Sequence, residues 1–211
     1  MGLKDGGFIS HMSDVATKMC WENRQHPNIV RLFQILLKRD DLWVKFDRYG
    51  MMRPTKGIAF KQNNDDGSVI LVDKPEWRSK SNWLHWDQWS IDNEERHKSR
   101  GGLVNVPEDD PIRKEIKQIH VRRGSFVIWD SRLPHGNFPN QSDRFRIVQY
   151  IAFESAKEDD KYKLTNRIDA VHMRTLNSKA DEQLAAIPEP QLTELGEKIV
   201  GLRSWKTNEK V

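Results

Sequence analysis

The chain has 211 residues, a formal net charge of +4, and 36% hydrophobic and 31% charged residues. Domain-size priors favour one domain over two at this length, so we expect a single domain spanning residues 1–211. Acidic and basic residues are interspersed, which is typical of an ordinary solvated surface and does not by itself favour nucleic acid as a partner. The single cysteine, Cys20, excludes an internal disulfide and favours a reducing, cytoplasmic setting. No run of 18 apolar residues occurs, so we expect no membrane-spanning helix and no membrane partner.

The predicted elements begin with helices in residues 1–40, where Pro27 can occupy the first turn of a helix with a broad apolar face. From about residue 41 the pattern changes to short apolar runs separated by Gly, Pro, Asn and Asp. This predicts a mainly β core over residues 41–153, a sandwich or barrel, with helical flanks at 1–40 and 154–211. The strand candidates are 41–50, 57–60, 68–72, 83–89, 101–106, 116–121, 125–130 and 145–153.

The segment 81–90, Ser-Asn-Trp-Leu-His-Trp-Asp-Gln-Trp-Ser, contains the first candidate functional pair. If this segment is extended, His85 and Asp87 point the same way, because side chains alternate along a strand. A second imidazole from another strand would complete a set of two histidines and one carboxylate, which suits iron(II) with open coordination positions. The alternative is a structural hydrogen bond between the two side chains at the end of a strand.

His135 is the best candidate for the second imidazole among the seven histidines. It follows the strongly apolar candidate strand Gly124–Asp130 and opens a turn-rich stretch, Pro134-His-Gly-Asn-Phe-Pro-Asn140. A side chain at the end of a strand, before a turn, is often functional. From the residues alone, His120 stays open as an alternative.

An arginine in the last candidate strand suggests a co-substrate. In Asp143–Phe153, Arg144 and Arg146 share one face with apolar residues, and an arginine that points inward needs an anion. A guanidinium matches a carboxylate through two parallel hydrogen bonds, and the 5-carboxylate of 2-oxoglutarate would supply that partner. The alternative is an exposed edge strand with two solvated arginines.

Together, His85-Trp-Asp87, His135-Gly-Asn-Phe-Pro-Asn140-Gln-Ser142 and Arg146 resemble the phytanoyl-CoA dioxygenase family of iron(II)/2-oxoglutarate oxygenases. That family has an arginine eleven residues after its distal histidine, which is the spacing from His135 to Arg146. The resemblance covers about residues 80–153 and implies a double-stranded β-helix, the cupin-like jelly roll.

The resemblance also implies the site. His85, Asp87 and His135 would be the catalytic iron ligands, Arg146 the 2-oxoglutarate anchor, and Ser142 a hydroxyl that helps to bind the co-substrate. Arg144, nine residues after His135, has the spacing that some related oxygenases use and is a rival anchor.

The activity implied is hydroxylation of a C–H bond of a small-molecule substrate, using O2 and releasing succinate and CO2. Two alternatives stay open: an oxygenase that acts on nucleic acid or protein side chains, and a non-catalytic, cupin-like metal-binding module. Trp83, Trp89 and Tyr49 are candidate pocket walls, with ordinary core packing as the alternative. The sequence predicts neither the primary substrate nor an oligomeric state.

Overall fold

The computed structural model describes residues 17–47, 49–61, 68–79, 83–87, 103–172 and 189–211. These residues fall into two compact units. The first contains the described residues up to Met51 and those from Ile147 onwards, and the second contains those within Met52–Arg146. The expectation of one domain over residues 1–211 stays a prediction.

The described elements are short helices and short strands, together with two 3-10 helices at Pro75–Trp77 and Pro111–Glu115. The helices are α1 (Lys18–Arg24), α2 (Pro27–Leu37), α3 (Lys161–His172) and α4 (Glu194–Val200). The strands are β1 (Leu42–Val44), β2 (Tyr49–Met52), β3 (Ile58–Lys61), β4 (Val69–Val72), β5 (His85–Asp87), β6 (Leu103–Asn105), β7 (Arg146–Gln149) and β8 (Phe153–Ser155).

The beginning of α2 confirms the prediction from proline. Pro27 is the first helical residue, where its missing N–H costs nothing. The imidazole of His26, the N-cap residue, accepts a hydrogen bond from the backbone N–H of Asn28. The helix ends at Leu37, and the left-handed backbone of the C-cap residue, Lys38, lets its N–H bond back to the last turn.

The core of the first unit lies between its helices and the antiparallel pair β1–β8, in which Trp43 faces Glu154. Leu42, Trp43 and Val44 are fully buried. The core cluster consists of Trp21, Val30, Leu42, Val44, Phe153, Val171, Ile199 and Val200. Burial of this apolar surface is the main stabilising contribution to the unit.

Arg167 of α3 is buried inside this same unit. Its Nη2 donates to the carbonyls of Val44 and Ile199, at 2.7 and 3.1 Å, so it joins three elements. Burial lowers the pKa of Arg167 to about 10, although the Glu154 carboxylate opposes that shift. The guanidinium also lies over the ring of Trp43, 4.9 Å from its centroid.

The second unit contains the hairpin β3–β4, in which Ile58 pairs with Val72, and the antiparallel pair β5–β6, in which His85 pairs with Asn105. The β5–β6 pair contains His85 and Asp87, the first candidate functional pair of the sequence. Its extended backbone is what the alternation of His85, Trp86 and Asp87 requires.

Two predicted strands are wrong: the structure has no strand at 116–121 or at 125–130. Neither stretch belongs to one of the sheets formed by the described strands, and their apolar side chains are exposed, with Ile119 at 70% and Phe126 at 46%. An apolar run becomes a strand only when a neighbour takes up its N–H and C=O groups. Hydrophobic pattern alone does not supply that neighbour.

The fold class is confirmed only coarsely, as short strands in small sheets together with helices. The described strands form four two-stranded sheets: β1–β8, β2–β7, β3–β4 and β5–β6. Within the described ranges these pairs do not join into a continuous jelly roll. None of the helices described in the structure is long and apolar enough to cross a membrane. A cytoplasmic location stays a prediction.

Candidate metal centre

The second unit brings His85, Asp87 and His135 together through its backbone. β5 presents His85 and Asp87 on one side, as the alternation of side chains predicts. An antiparallel bridge between His85 and His135 then joins β5 to the segment around His135, the distal segment. In it, the His85 N–H donates to the His135 carbonyl at 3.0 Å, and the His135 N–H donates to the His85 carbonyl at 2.9 Å.

The three side chains converge on one point. One ligand atom from each residue lies within 4.8 Å of the other two. The Nε2 atom of His135 is 3.9 Å from Oδ2 of Asp87, and the two imidazole centroids are 4.5 Å apart. Two imidazoles and one carboxylate from adjacent backbone segments are the donor set that suits iron(II) with open positions.

Both imidazoles are oriented by backbone carbonyls two residues upstream. Nδ1 of His85 lies 2.8 Å from the carbonyl of Trp83, and Nδ1 of His135 lies 3.0 Å from the carbonyl of Leu133. A carbonyl can only accept, so in the neutral imidazole each Nδ1 carries the hydrogen and each Nε2 keeps a lone pair that a metal could use. Metal-binding histidines are commonly oriented in this way.

The candidate ligands differ in how deeply they are buried. His85 is 2% exposed, and this burial lowers the pKa of its imidazole below the usual value. The Trp83 carbonyl and the Asp87 carboxylate oppose that shift, while His135 adds to it. A lowered pKa keeps the imidazole neutral, which is the form that binds a metal. The side chain of Asp87 is 36% exposed, so the site is open on that side.

The close approach of two backbone segments explains why a glycine, Gly136, follows His135. A Cβ at this position would lie 3.3 Å from the carbonyl oxygen of Trp83 and 3.7 Å from Cα of Leu84. Contacts of 3.3 Å are tighter than most real Cβ contacts, so a larger residue would push the two segments apart. The glycine therefore permits the approach that sets His135 against His85.

The two candidate anchors differ in their surroundings. Arg146 begins β7 and is half-buried; its Nη2 donates to the Phe138 carbonyl at 2.5 Å and contacts the sulfur of Met52. The Arg144 side chain is 88% exposed, and its Nε lies 4.0 Å from Oδ1 of Asp143, in a loose surface ion pair. On the opposite face of the strand, Ile147 is exposed. Arg146 is thus the inward-pointing arginine of the pair.

The Ser142 hydroxyl makes hydrogen bonds within its own loop. Its hydroxyl lies 2.8 Å from Oδ1 of Asn140 and 3.1 Å from the Arg144 carbonyl, and it accepts from the Arg144 N–H at 3.2 Å. A role of Ser142 in binding a co-substrate stays a prediction. Of the other named candidates, His120 is exposed, Tyr49 lies in the first unit, and Trp89 lies outside the described residues.

Asn140 is a residue that the sequence analysis did not select as part of the site. It is buried, and its Nδ2 contacts the carbonyls of Met52, Arg53 and Arg144 at 3.3, 3.0 and 2.6 Å. Its side chain thus ties the loop that precedes Arg146 to the segment that begins the second unit. Its signals in the sequence were its place in the turn-rich stretch after His135 and in the motif that carries the family resemblance.

Comparisons with known proteins give a family match over the part of the chain that contains this candidate site. Residues 76–148 match the family model described as Phytanoyl-CoA dioxygenase, and this range includes all three ligand candidates and both arginines. A Dictyostelium discoideum protein named "Putative phytanoyl-CoA dioxygenase" is 23% identical over 181 residues, covering 61% of this chain and 52% of that protein. The chain therefore spans about half the length of this curated relative. No solved structure gives a significant match.

Proposed function

We propose that this chain, as a member of the phytanoyl-CoA dioxygenase family matched over residues 76–148, is an iron(II)- and 2-oxoglutarate-dependent oxygenase. The observation that carries the proposal is the convergence of His85, Asp87 and His135, with one ligand atom from each within 4.8 Å of the others. When bound, iron(II) with 2-oxoglutarate supplies the chemistry that converts R–H, O2 and 2-oxoglutarate into R–OH, succinate and CO2.

The protein's own residues do the positioning. His85 and His135 offer Nε2, because their Nδ1 atoms are held by the carbonyls of Trp83 and Leu133. Asp87 offers a carboxylate whose negative charge offsets part of the charge of a divalent cation. Arg146 supplies a half-buried guanidinium for the distal carboxylate of the co-substrate.

The family's cupin-like jelly roll is the finer fold that we propose for the region around this site. Two features support it: the ligands come from neighbouring antiparallel segments, and the strands are short. We further propose a small-molecule substrate hydroxylated at a C–H bond. An oxygenase that acts on nucleic acid or protein is the second substrate class to test.

Anaerobic titration of the full chain with iron(II) and 2-oxoglutarate tests the proposal. We expect a visible charge-transfer band, followed by succinate when air is admitted. Asp87→Ala is expected to weaken iron binding by at least about 100-fold, because even the loss of an outer-shell partner costs up to that factor. Asp109→Ala is the matched control, since Asp109 is an exposed carboxylate on a turn of the same unit.

Three outcomes distinguish the alternatives. A band with succinate, lost in Asp87→Ala and kept in Asp109→Ala, supports the oxygenase. Metal binding that depends on Asp87, without a band and without succinate, supports the non-catalytic metal-binding module and overturns the enzyme. Metal binding that does not respond to Asp87→Ala overturns the ligand set.

A further inference from the structure

We propose that Trp83 is a positioning residue for the metal centre, acting by joining the two backbone segments that carry the ligands. The inference rests on the proposed function, because it concerns the same three ligands. It assigns to Trp83 a specific role that differs from both the pocket wall and the ordinary core residue considered from the sequence.

The first contact is with the proximal segment. The indole of Trp83 stacks on the imidazole of His85, with ring centroids 4.4 Å apart and an interplanar angle of 23°. The carbonyl of Trp83 lies 2.8 Å from Nδ1 of the same imidazole. Stacking limits the tilt of the His85 ring, and the hydrogen bond limits its rotation and selects the tautomer.

The second contact is with the distal segment. The indole Nε1–H of Trp83 donates to the carbonyl of Asn137 at 3.2 Å. Asn137 is two residues after His135, so this bond and the bridge between His85 and His135 tie the distal segment at two points. Gly136 lies between those points, where its lack of a side chain allows the Trp83 carbonyl to approach.

These contacts restrict the distance between the imidazoles of His85 and His135. A metal needs all its ligand atoms at nearly fixed distances, so affinity depends on how narrowly the apoprotein restricts their positions. A residue that touches one ligand ring and the backbone beside the other restricts both. Trp83 does this with one rigid side chain that has few rotatable bonds, so little conformational entropy is lost in holding it.

Trp129 is the matched comparison. It is also an indole beside a ligand, with its centroid 5.2 Å from that of His135, but the rings are tilted by 49° and Trp129 is 37% exposed. The ring contact of Trp129 among the described residues is with His135, whereas that of Trp83 is with His85 of β5. Truncating Trp129 removes a similar amount of aromatic surface near the site without removing the link between the segments.

The experiment measures cobalt(II) binding to the full chain by calorimetry, together with the visible absorption of the bound cobalt. Trp83→Phe keeps a ring against His85 but loses the bond to Asn137, so we expect Kd to rise about five-fold, the effect of one neutral hydrogen bond. Trp83→Leu loses both contacts, and we expect a rise of about 10-fold or more with an altered absorption band. Trp129→Leu is expected to leave Kd within about two-fold.

Thermal unfolding of each metal-free variant separates positioning from general stability. A purely structural role would lower Tm and leave the Kd and absorption of the folded protein unchanged, and that result overturns the inference. Equal losses of affinity in Trp83→Leu and Trp129→Leu would also overturn the inference. If Trp83→Leu does not fold, the comparison of Trp83→Phe with the parent decides in the same way. If the parent binds no cobalt, the proposed function itself fails, and this inference fails with it.

Discussion

Truncation of Arg146 should weaken binding of 2-oxoglutarate far more than truncation of Arg144. The two residues are two positions apart in the sequence, yet Arg146 is half-buried and Arg144 is 88% exposed at its side chain. Water and salt screen an exposed guanidinium, whereas a half-buried one interacts with a carboxylate in a lower effective dielectric. Burial is therefore the property that should separate the two variants.

The expected sizes follow from these environments. Hydrogen bonds to a charged group contribute about 1.5–3 kcal/mol, so Arg146→Ala should raise the Kd of 2-oxoglutarate about 10- to 150-fold. An exposed ion pair contributes about 0–1 kcal/mol, so Arg144→Ala should raise it at most about five-fold. Arg146→Lys keeps the charge but loses the planar fork, and should fall between the two.

The assay is anaerobic titration of 2-oxoglutarate into the iron(II)-loaded protein, followed by the charge-transfer band. The thermal stability of each variant is measured alongside, because Arg146 also contacts the carbonyl of Phe138 and the sulfur of Met52. If only Arg144→Ala weakens binding, the choice of anchor is wrong. If neither variant changes Kd, the co-substrate is held elsewhere and the reasoning from burial fails.

Further predictions concern three residues whose surroundings are tightly defined. Gly136→Ala should weaken cobalt(II) binding several-fold, because its Cβ would lie 3.3 Å from the Trp83 carbonyl; an unchanged Kd would show that the two segments can separate freely. Gly201→Ala should lower the free energy of unfolding in urea by about 1–2 kcal/mol, because Gly201 has φ +95° and its Cβ would meet Leu164 at 3.2 Å. Arg167→Ala should cost about 3 kcal/mol, because two buried carbonyls lose their donor, and a loss near zero would contradict this. The pKa of Arg167 is lowered to about 10, so the folded state releases a proton there that the unfolded state retains; parental stability relative to this variant should rise with pH above about 10.

The sequence by itself determined the features that depend on near neighbours. Alternation along a strand is a local property of extended backbone, so His85 and Asp87 could be assigned to one face before any tertiary contact was known. The beginning of α2 at Pro27 is equally local, because it depends on the fixed φ of proline and its missing N–H. The choice of His135 over the other histidines also agrees with the structure, which gathers it with the first two.

Sequence pattern failed where an element needs a distant partner. The stretches 116–121 and 125–130 are as apolar as strands, but neither belongs to one of the sheets formed by the described strands. His135 was chosen because it follows such a predicted strand, yet the structure positions it through one bridge to His85 instead. The structure thus places His135 beside His85 and Asp87 although the strand predicted before it is absent, and its role as a ligand stays a prediction.

Tertiary structure alone decided which side chains support the ligands. Nothing within a few residues of Trp83 indicates that its indole will donate to Asn137, 54 positions later, or that Asn140 will contact the carbonyl of Met52, 88 positions earlier. The same holds for the difference in burial between Arg144 and Arg146, which share a face in sequence. Local spacing thus predicts most of the candidate donor set. The contacts that hold those residues in place join distant segments, because only folding brings those segments within hydrogen-bonding distance.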